Sequence, residues 1–397
     1  MSVRRPFRHV FVVVWCVVLL AGAPVTTAAG PAPIAGSDHD GARTSWIVTL
    51  RAGFDPRSSS GDLAARAGGS AGSVFTHVLN GFVFRGSERA AQALARDPSV
   101  RTVVPDEQVQ IVADTVPPGI ERIRADHPTQ PDAHEAGFTG AGVRIAIIDT
   151  GIDLSHPDLV ANIDAGLGRN CYSGGPPQDG HGHGTHVAGT AAAPANGFGV
   201  VGVAPSARLV PIKVLSDTGT GDWSNVICGI DYVTGLATDG DPGNDVQVAN
   251  MSLGDVGTLG DCSDGGLRQA ICESVAAGIV YVAAAGNSAS DAAAFVPAAY
   301  PEVIAVSAIA DFDGEPGGSV GCQIDWSSFT YNCDDQLAAF SNFGNVVDVA
   351  APGVTIYSTW TGGGYQSISG TSMASPHAAG VAALVRAANS ALSPAQV

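Results

Sequence analysis

The sequence predicts an α/β fold, a mostly parallel sheet flanked by helices, with a small α+β domain ahead of it. Three observations point there. Beyond residue 140, short apolar runs alternate with helix-like stretches, the pattern left by strands joined through crossover helices. The run at 143–148 is apolar almost throughout, as in a strand covered on both faces. The 51 glycines suit a fold with many tight turns and close backbone approaches.

A chain of 397 residues with 45% apolar content has material for two domains with sizeable cores. Its charge is uneven. Residues 1–113 carry 11 Lys and Arg against 8 Asp and Glu, net +3; residues 114–397 carry 8 against 29, net −21, which gives the formal −18 of the chain. Such an acidic body excludes a nucleic-acid binder, which needs a basic face. It suits a secreted protein and bound cations. Most of these carboxylates read as a solvated surface.

Taken in order, residues 1–29 read as a secretory signal. Arg4, Arg5 and Arg8 form a basic start, 10–20 an apolar centre, and Thr26, Ala28 and Ala29 a small-residue cleavage site. The apolar centre is too short for a comfortable membrane span, so a secreted, extracellular protein without a membrane anchor is expected. Cysteine usage agrees. Of seven cysteines Cys16 leaves with the signal, and six remain, an even number that implies disulfides after export. Many pairings stay open on sequence alone. Short loops favour Cys262–Cys272 and Cys322–Cys333, which leaves Cys171–Cys228. No zinc spacing is present. Residues 30–44 are a Pro/Gly-rich linker. Residues 45–112 read as a compact α+β unit: strands at 46–50 and 100–111, helices at 59–67 and 88–96, and a hairpin over 74–85 around Asn80-Gly81. A Pro-rich joint at 113–119 is a natural domain boundary and site for a cut. In 120–397 the expected strands are 143–148, 209–215, 246–251, 279–284 and 303–308. The expected helices open at His183 and span 225–233, 266–277 and 378–388.

Ligand sites in such sheets lie beyond the carboxyl ends of the strands. Asp149, Ser252 and Asn287 fall at strand ends, His183 and Ser372 at helix starts. A serine at the mouth of a helix is most often only a cap. The company Ser372 keeps points elsewhere. A hydroxyl is a poor nucleophile until an imidazole takes its proton, and the imidazole needs a carboxylate to fix its tautomer and stabilise its charged form. Asp149, His183 and Ser372, all facing one crevice, meet that need. The Asn287 amide and the Ser372 N–H could serve the oxyanion of the transition state. His181, His186 and His377 read as loop or packing residues. The His183/His186 pair lacks the glutamate pattern of a metallopeptidase.

These residues stand in four ordered motifs: Ile148-Asp149-Thr150-Gly151-Ile152-Asp153, Gly182-His183-Gly184-Thr185-His186-Val187-Ala188-Gly189, Ala284-Ala285-Gly286-Asn287 and Gly370-Thr371-Ser372-Met373-Ala374-Ser375-Pro376-His377. Through them residues 117–397 resemble the subtilisin-like serine peptidases, the subtilases, and within them the proteinase K-like branch. The resemblance implies Asp149 as orienting acid, His183 as general base, Ser372 as nucleophile and Asn287 as oxyanion donor. It implies that Ser252-Leu253-Gly254 and Gly219-Thr220-Gly221 flank an extended polypeptide substrate. Residues 45–112 resemble the inhibitor-like propeptide of the family, which implies a temporary inhibitor cut off near 113–119 by the enzyme itself. Structural calcium is implied at two places: Asp158 with Asn196, and Asp348 with the carbonyls of Pro301 and Val303. No cofactor is implied for catalysis, and the expected state is a monomer.

Two departures stand out. Residues 311–339 form an acidic, Gly-rich insertion carrying Cys322 and Cys333. The chain also stops 25 residues beyond Ser372, where Ser393-Pro394-Ala395-Gln396-Val397 reads like the start of a further helix, so a truncated peptidase domain is expected. The rival reading is therefore a non-catalytic secreted fragment inactivated by a missing end. An esterase is excluded by the absent Gly-x-Ser-x-Gly elbow and by the order of the three residues.

Overall fold

The computed structural model describes residues 45–106, 114–263, 265–325 and 330–397. The expected signal (1–29) and linker (30–44) lie outside the described residues, as do 107–113, the end of the inhibitor-like domain and the first residue of the joint. The chain divides into two units, Met1–Gln110 and Ile111–Val397.

The first unit runs β1 (Ser45–Leu50), α1 (Pro56–Ala67), β2 (Ser70–Phe75), β3 (Gly81–Arg85), α2 (Glu88–Leu94) and β4 (Val100–Pro105). Its strands form one antiparallel sheet in the order β2-β3-β1-β4. Alternation in β1 sends Trp46, Val48 and Leu50 inward, where Phe82, Phe84, Leu63 and Leu94 meet them. Each helix start has its own cap. Asp55 accepts from Arg57 N at 3.0 Å, and Ser87 from Ala90 N at 3.3 Å. The hairpin begins four residues earlier than expected, at Ser70, because its first residues are small and polar and carry no alternation to read.

The second unit is built on a seven-stranded parallel sheet. Its elements are α3 (Pro118–Arg122), β5 (Arg144–Asp149), β6 (Arg169–Asn170), α4 (His183–Ala192), β7 (Arg208–Lys213), α5 (Trp223–Thr238), β8 (Val248–Met251), β9 (Asp255–Val256), α6 (Leu267–Ala276), β10 (Val280–Ala284), β11 (Phe295–Val296), β12 (Val303–Ile309), β13 (Cys322–Asp325), β14 (Thr330–Cys333), β15 (Val349–Pro352), β16 (Ile356–Trp360), β17 (Gly364–Ile368) and α7 (Thr371–Ala388). The sheet order is β15-β12-β10-β8-β5-β7-β6. Both faces are covered. Ile145 and Ile147 of β5 point into a core shared with α4 and α7, while Ala146 and Ile148 point into one shared with α5 and α6. That two-sided burial is why the strands read as apolar runs. From β5 the chain first builds towards β7 and β6, then returns to β8 on the other side. The order reverses at β5 and β8, and a crevice opens beyond their carboxyl ends. Asp149 ends β5, and Ser252 follows β8.

In the structure Cys171 is bonded to Cys228, Cys262 to Cys272, and Cys322 to Cys333. The last pair closes the β13–β14 hairpin of the acidic insertion. Among the described residues, no helix is long and apolar enough to cross a membrane.

Candidate active site

Asp149 is fully buried at the end of β5. Its Oδ1 accepts from His183 Nδ1 and from Thr150 N, both at 2.7 Å. Burial pulls the His183 imidazole down, but the charge and hydrogen bond of Asp149, with the charge of Asp179, outweigh it and raise His183 above the ordinary histidine value. His183 is the first residue of α4, and the local sequence dictates how it gets there. Gly182 precedes it at φ +109°, and a Cβ there would lie 2.3 Å from the Trp360 ring. A Cβ on Gly184 would lie 2.1 Å from the Gly151 carbonyl, so the helix can start hard against the end of β5 only with glycine there. Asp179, which the sequence reading missed, holds this entry. Its carboxylate accepts from the backbone of His181, Gly182 and Thr185 at 2.8–3.0 Å and from the Thr185 hydroxyl at 2.6 Å. An aspartate just ahead of a helix start was the signal available for it.

Ser372 is the second residue of α7, which starts at Thr371 and runs through Pro376. The sequence placed that helix later, at 378, because proline interrupts a helical pattern. Pro376 lacks the N–H that would serve the Ser372 carbonyl one turn back. The structure supplies another donor, as Ser252 Oγ donates to Ser372 O at 2.7 Å. Ser252 Oγ is itself held by Asn250 Nδ2 at 2.9 Å, and Asn250 Oδ1 accepts from Ser375 Oγ at 2.7 Å. The end of β8 thus laces the first turns of α7. The Ser372 hydroxyl donates to the Ser252 carbonyl at 3.1 Å rather than to His183. Resting hydrogen bonds of this kind are commonly rearranged when substrate binds. Asn287 is exposed beyond β10. Its Oδ1 accepts from Thr371 N at 2.8 Å and from Thr371 Oγ1 at 2.9 Å, which leaves its Nδ2 beside Gly370, where a Cβ would lie 3.6 Å from both that Nδ2 and the Ser372 N.

Gly219, Thr220 and Gly221 face Leu253 and Gly254 across one cavity of about 420 Å³. Leu215, Asp222, Trp223, Val226 and Asp255 complete its lining. Ser252 stands apart from that lining, occupied with Ser372. His186 and His377 are buried away from the crevice. Burial lowers them to about 3 and about 4, although backbone acceptors, Ile356 and Gln366 for one and Met373 for the other, act the opposite way.

Of the expected calcium ligands, Asp158 is buried, and burial raises its carboxyl above the usual range. Its oxygens accept from Asn196 Nδ2 at 2.9 Å, Val200 N at 2.8 Å and the Tyr365 hydroxyl at 3.1 Å. Asp114, not anticipated, reaches the same loop and accepts from Gly197 N at 2.9 Å. The carboxylates of Asp158 and Asp114 and the amide of Asn196 are oxygen donors of the kind hard cations take, but Asn196 turns its N–H side to Asp158 and its oxygen to Phe198 N. Asp348 accepts from Ala305 N at 2.9 Å, beside the strand that carries Val303. A third acidic group lies in the insertion, where carboxylate oxygens of Asp311, Asp313 and Asp334 lie within 4.8 Å of one another and could hold a metal ion. Burial pushes Asp311 up to about 6 there.

Comparison with known proteins agrees with this geometry. Residues 140–397 match the model of the subtilase family, and residues 37–112 that of the peptidase inhibitor I9 family. The chain is 40% identical over 339 residues to subtilisin NAT of Bacillus subtilis subsp. natto, covering 85% of this chain and 78% of the relative. It is 42% identical over 288 residues to a subtilisin of Bacillus pumilus, covering 72% and 90%. The crystal structure of a cold-adapted subtilisin-like serine proteinase superposes with a TM-score of 0.54 at 34% identity, covering 70% of this chain and 88% of the other. The chain therefore belongs to the subtilase family of serine endopeptidases, with an I9-type inhibitor domain preceding the peptidase domain.

Proposed function

We propose that the protein is a secreted endopeptidase made as a preproprotein, which hydrolyses peptide bonds through an acyl-enzyme. In this reading 1–29 is the signal, 30–44 a linker, 45–112 the intramolecular inhibitor, 113–119 the processing joint and 120–397 the peptidase. The observation that carries it is the 2.7 Å bond from His183 Nδ1 to the buried Asp149 carboxylate. That bond holds the imidazole in one tautomer, with Nε2 free to accept the Ser372 proton. The freed serine oxygen attacks the scissile carbonyl, and the Ser372 N–H and Asn287 Nδ2 receive the developing oxyanion. His183 then returns the proton to the leaving amine, and water repeats the sequence to release the acid. An extended substrate would pair with the backbone of 219–221 and 252–254, with a broad, apolar preference next to the cut. Calcium would be held by Asp158 and Asn196, joined by Asp114, and by Asp348 with the carbonyls of Pro301 and Val303. There it would stiffen surface loops and take no part in the reaction.

The test is the intact mass of the secreted protein, wild type beside Ser372→Ala. Loss of the segment ending near 113–119 from wild type alone is the expected result. Retention of the segment by both proteins would instead favour a non-catalytic protein of the subtilase fold.

A further inference from the structure

Lys213 ends β7 and is only 5% exposed. A buried ammonium is costly unless its protons find acceptors, and an apolar side chain of the same size would fill the space without that cost. Two acceptors are present. Lys213 Nζ donates to the Thr150 carbonyl at 2.6 Å and to Asp217 Oδ1 at 2.8 Å. In the register of the sheet Lys213 stands directly beside Asp149. Thr150 is the junction. Its N–H donates to Asp149 Oδ1 at 2.7 Å, its Oγ1 accepts from Gly184 N at 2.9 Å, and its carbonyl takes the ammonium. The second acceptor braces the other approach to His183. Asp217 packs so closely on Gly180 that a Cβ there would lie 2.5 Å from its carboxyl carbon. One cation therefore ties the strand that carries Asp149 to both the loop and the first helical turn that carry His183.

We propose that Lys213 is a positioning residue for the Asp149–His183 pair. Its ammonium locks the Thr150 peptide, and through that peptide sets the carboxylate and the start of α4 in place. The proposal rests on the reading of Asp149 and His183 as orienting acid and general base. Lys213 touches neither substrate nor the reacting atoms. Its contribution is geometric, of the kind in which a small misplacement costs rate more than binding.

Lys213→Met keeps the apolar stem and removes the donors. In the folded variant, kcat on a chromogenic peptide amide falls about tenfold or more while KM stays within about threefold. The far-downfield NMR resonance of the His183 Nδ1 proton, recorded with Ser372→Ala to stop self-digestion, moves upfield and broadens. Lys213→Arg, which restores charge and donors, recovers most of both signals. Wild-type kcat with an unmoved resonance overturns the proposal, and so does a variant in which only the melting temperature falls. If Lys213→Met does not fold, Lys213→Leu, which also lacks donors, replaces it with the same expectations. The resonance reports the Asp149–His183 bond without turnover. A wild-type protein that cleaves nothing would therefore count against the peptidase reading alone, while the resonance would still decide on Lys213.

Discussion

Besides the backbone place expected for it beside the substrate, Ser252 has a side-chain task in the structure. Pro376 leaves the Ser372 carbonyl without its helical partner, and the Ser252 hydroxyl takes that place at 2.7 Å. The residue that gives up its carbonyl this way is the proposed nucleophile, so the serine backbone is held from β8 rather than from its own helix. Ser252→Ala leaves that carbonyl unpaired. We expect it to lower unfolding free energy by about 1–3 kcal/mol, read by urea titration in a Ser372→Ala background. In the active enzyme it should lower kcat more than it raises KM. Unchanged stability and unchanged kcat would refute the assignment. The Asp149–His183 contact was legible in the sequence because each residue sits inside a motif at an element end. Ser252's bond to Ser372 was not, since it arises from what a proline four residues further on cannot donate.

At the scale of elements, five of the seven strands of the parallel sheet, β5, β7, β8, β10 and β12, were legible because burial on both faces leaves apolar runs, whereas the half-exposed edge strand β15 was not. The hairpins β13–β14 and β16–β17 were not. Their sequences are polar or mixed, and Ile324 and Tyr331 of the first face solvent across the pair. The edge strand β6 has two residues and no pattern to read, yet it closes one side of the sheet. What secures it is the bond from Cys171, just beyond its end, to Cys228 in α5. This link spans 57 residues, whereas Cys262–Cys272 spans 10. Loop entropy gives the longer closure about 4 kcal/mol and the shorter about 3 kcal/mol. Cys171→Ser with Cys228→Ser should therefore lower the melting temperature more than Cys262→Ser with Cys272→Ser, by calorimetry of the Ser372→Ala protein. The reverse order would show that local anchoring matters more than loop length.

For the whole molecule, the response to acid follows from which groups the fold buries uncharged. His186 and His377 lie fully buried, with burial lowering them from 6.5 to about 3 and about 4. An unfolded chain takes up both protons near pH 6.5, whereas the folded one refuses them until far lower pH. The unfolded state thus binds more protons in this window, and stability falls as pH drops from about 6.5 towards 4, by a few kcal/mol for each group. Asp311 opposes the trend. Burial raises it to about 6, so the folded state holds its proton first and gains stability as pH falls from about 6 towards 3.8. His183, raised by Asp149, contributes stability that is complete below its unfolded value and is lost as pH rises through its folded value, which affects the neutral to alkaline side. Burial also raises Asp158 and Glu121, which act in the same sense as Asp311; the two histidines, the most strongly lowered groups, are expected to outweigh the three. The melting temperature of the Ser372→Ala protein should hold near neutral pH and fall between pH 6.5 and 4. His377→Leu keeps an apolar filling against Gly119 and removes one of the two refused protons, so it should flatten that fall. A melting temperature level from pH 7 to 4.5, or a slope that His377→Leu leaves unchanged, would mean that the acid response is set by the many surface carboxylates and not by the buried histidines of α4 and α7.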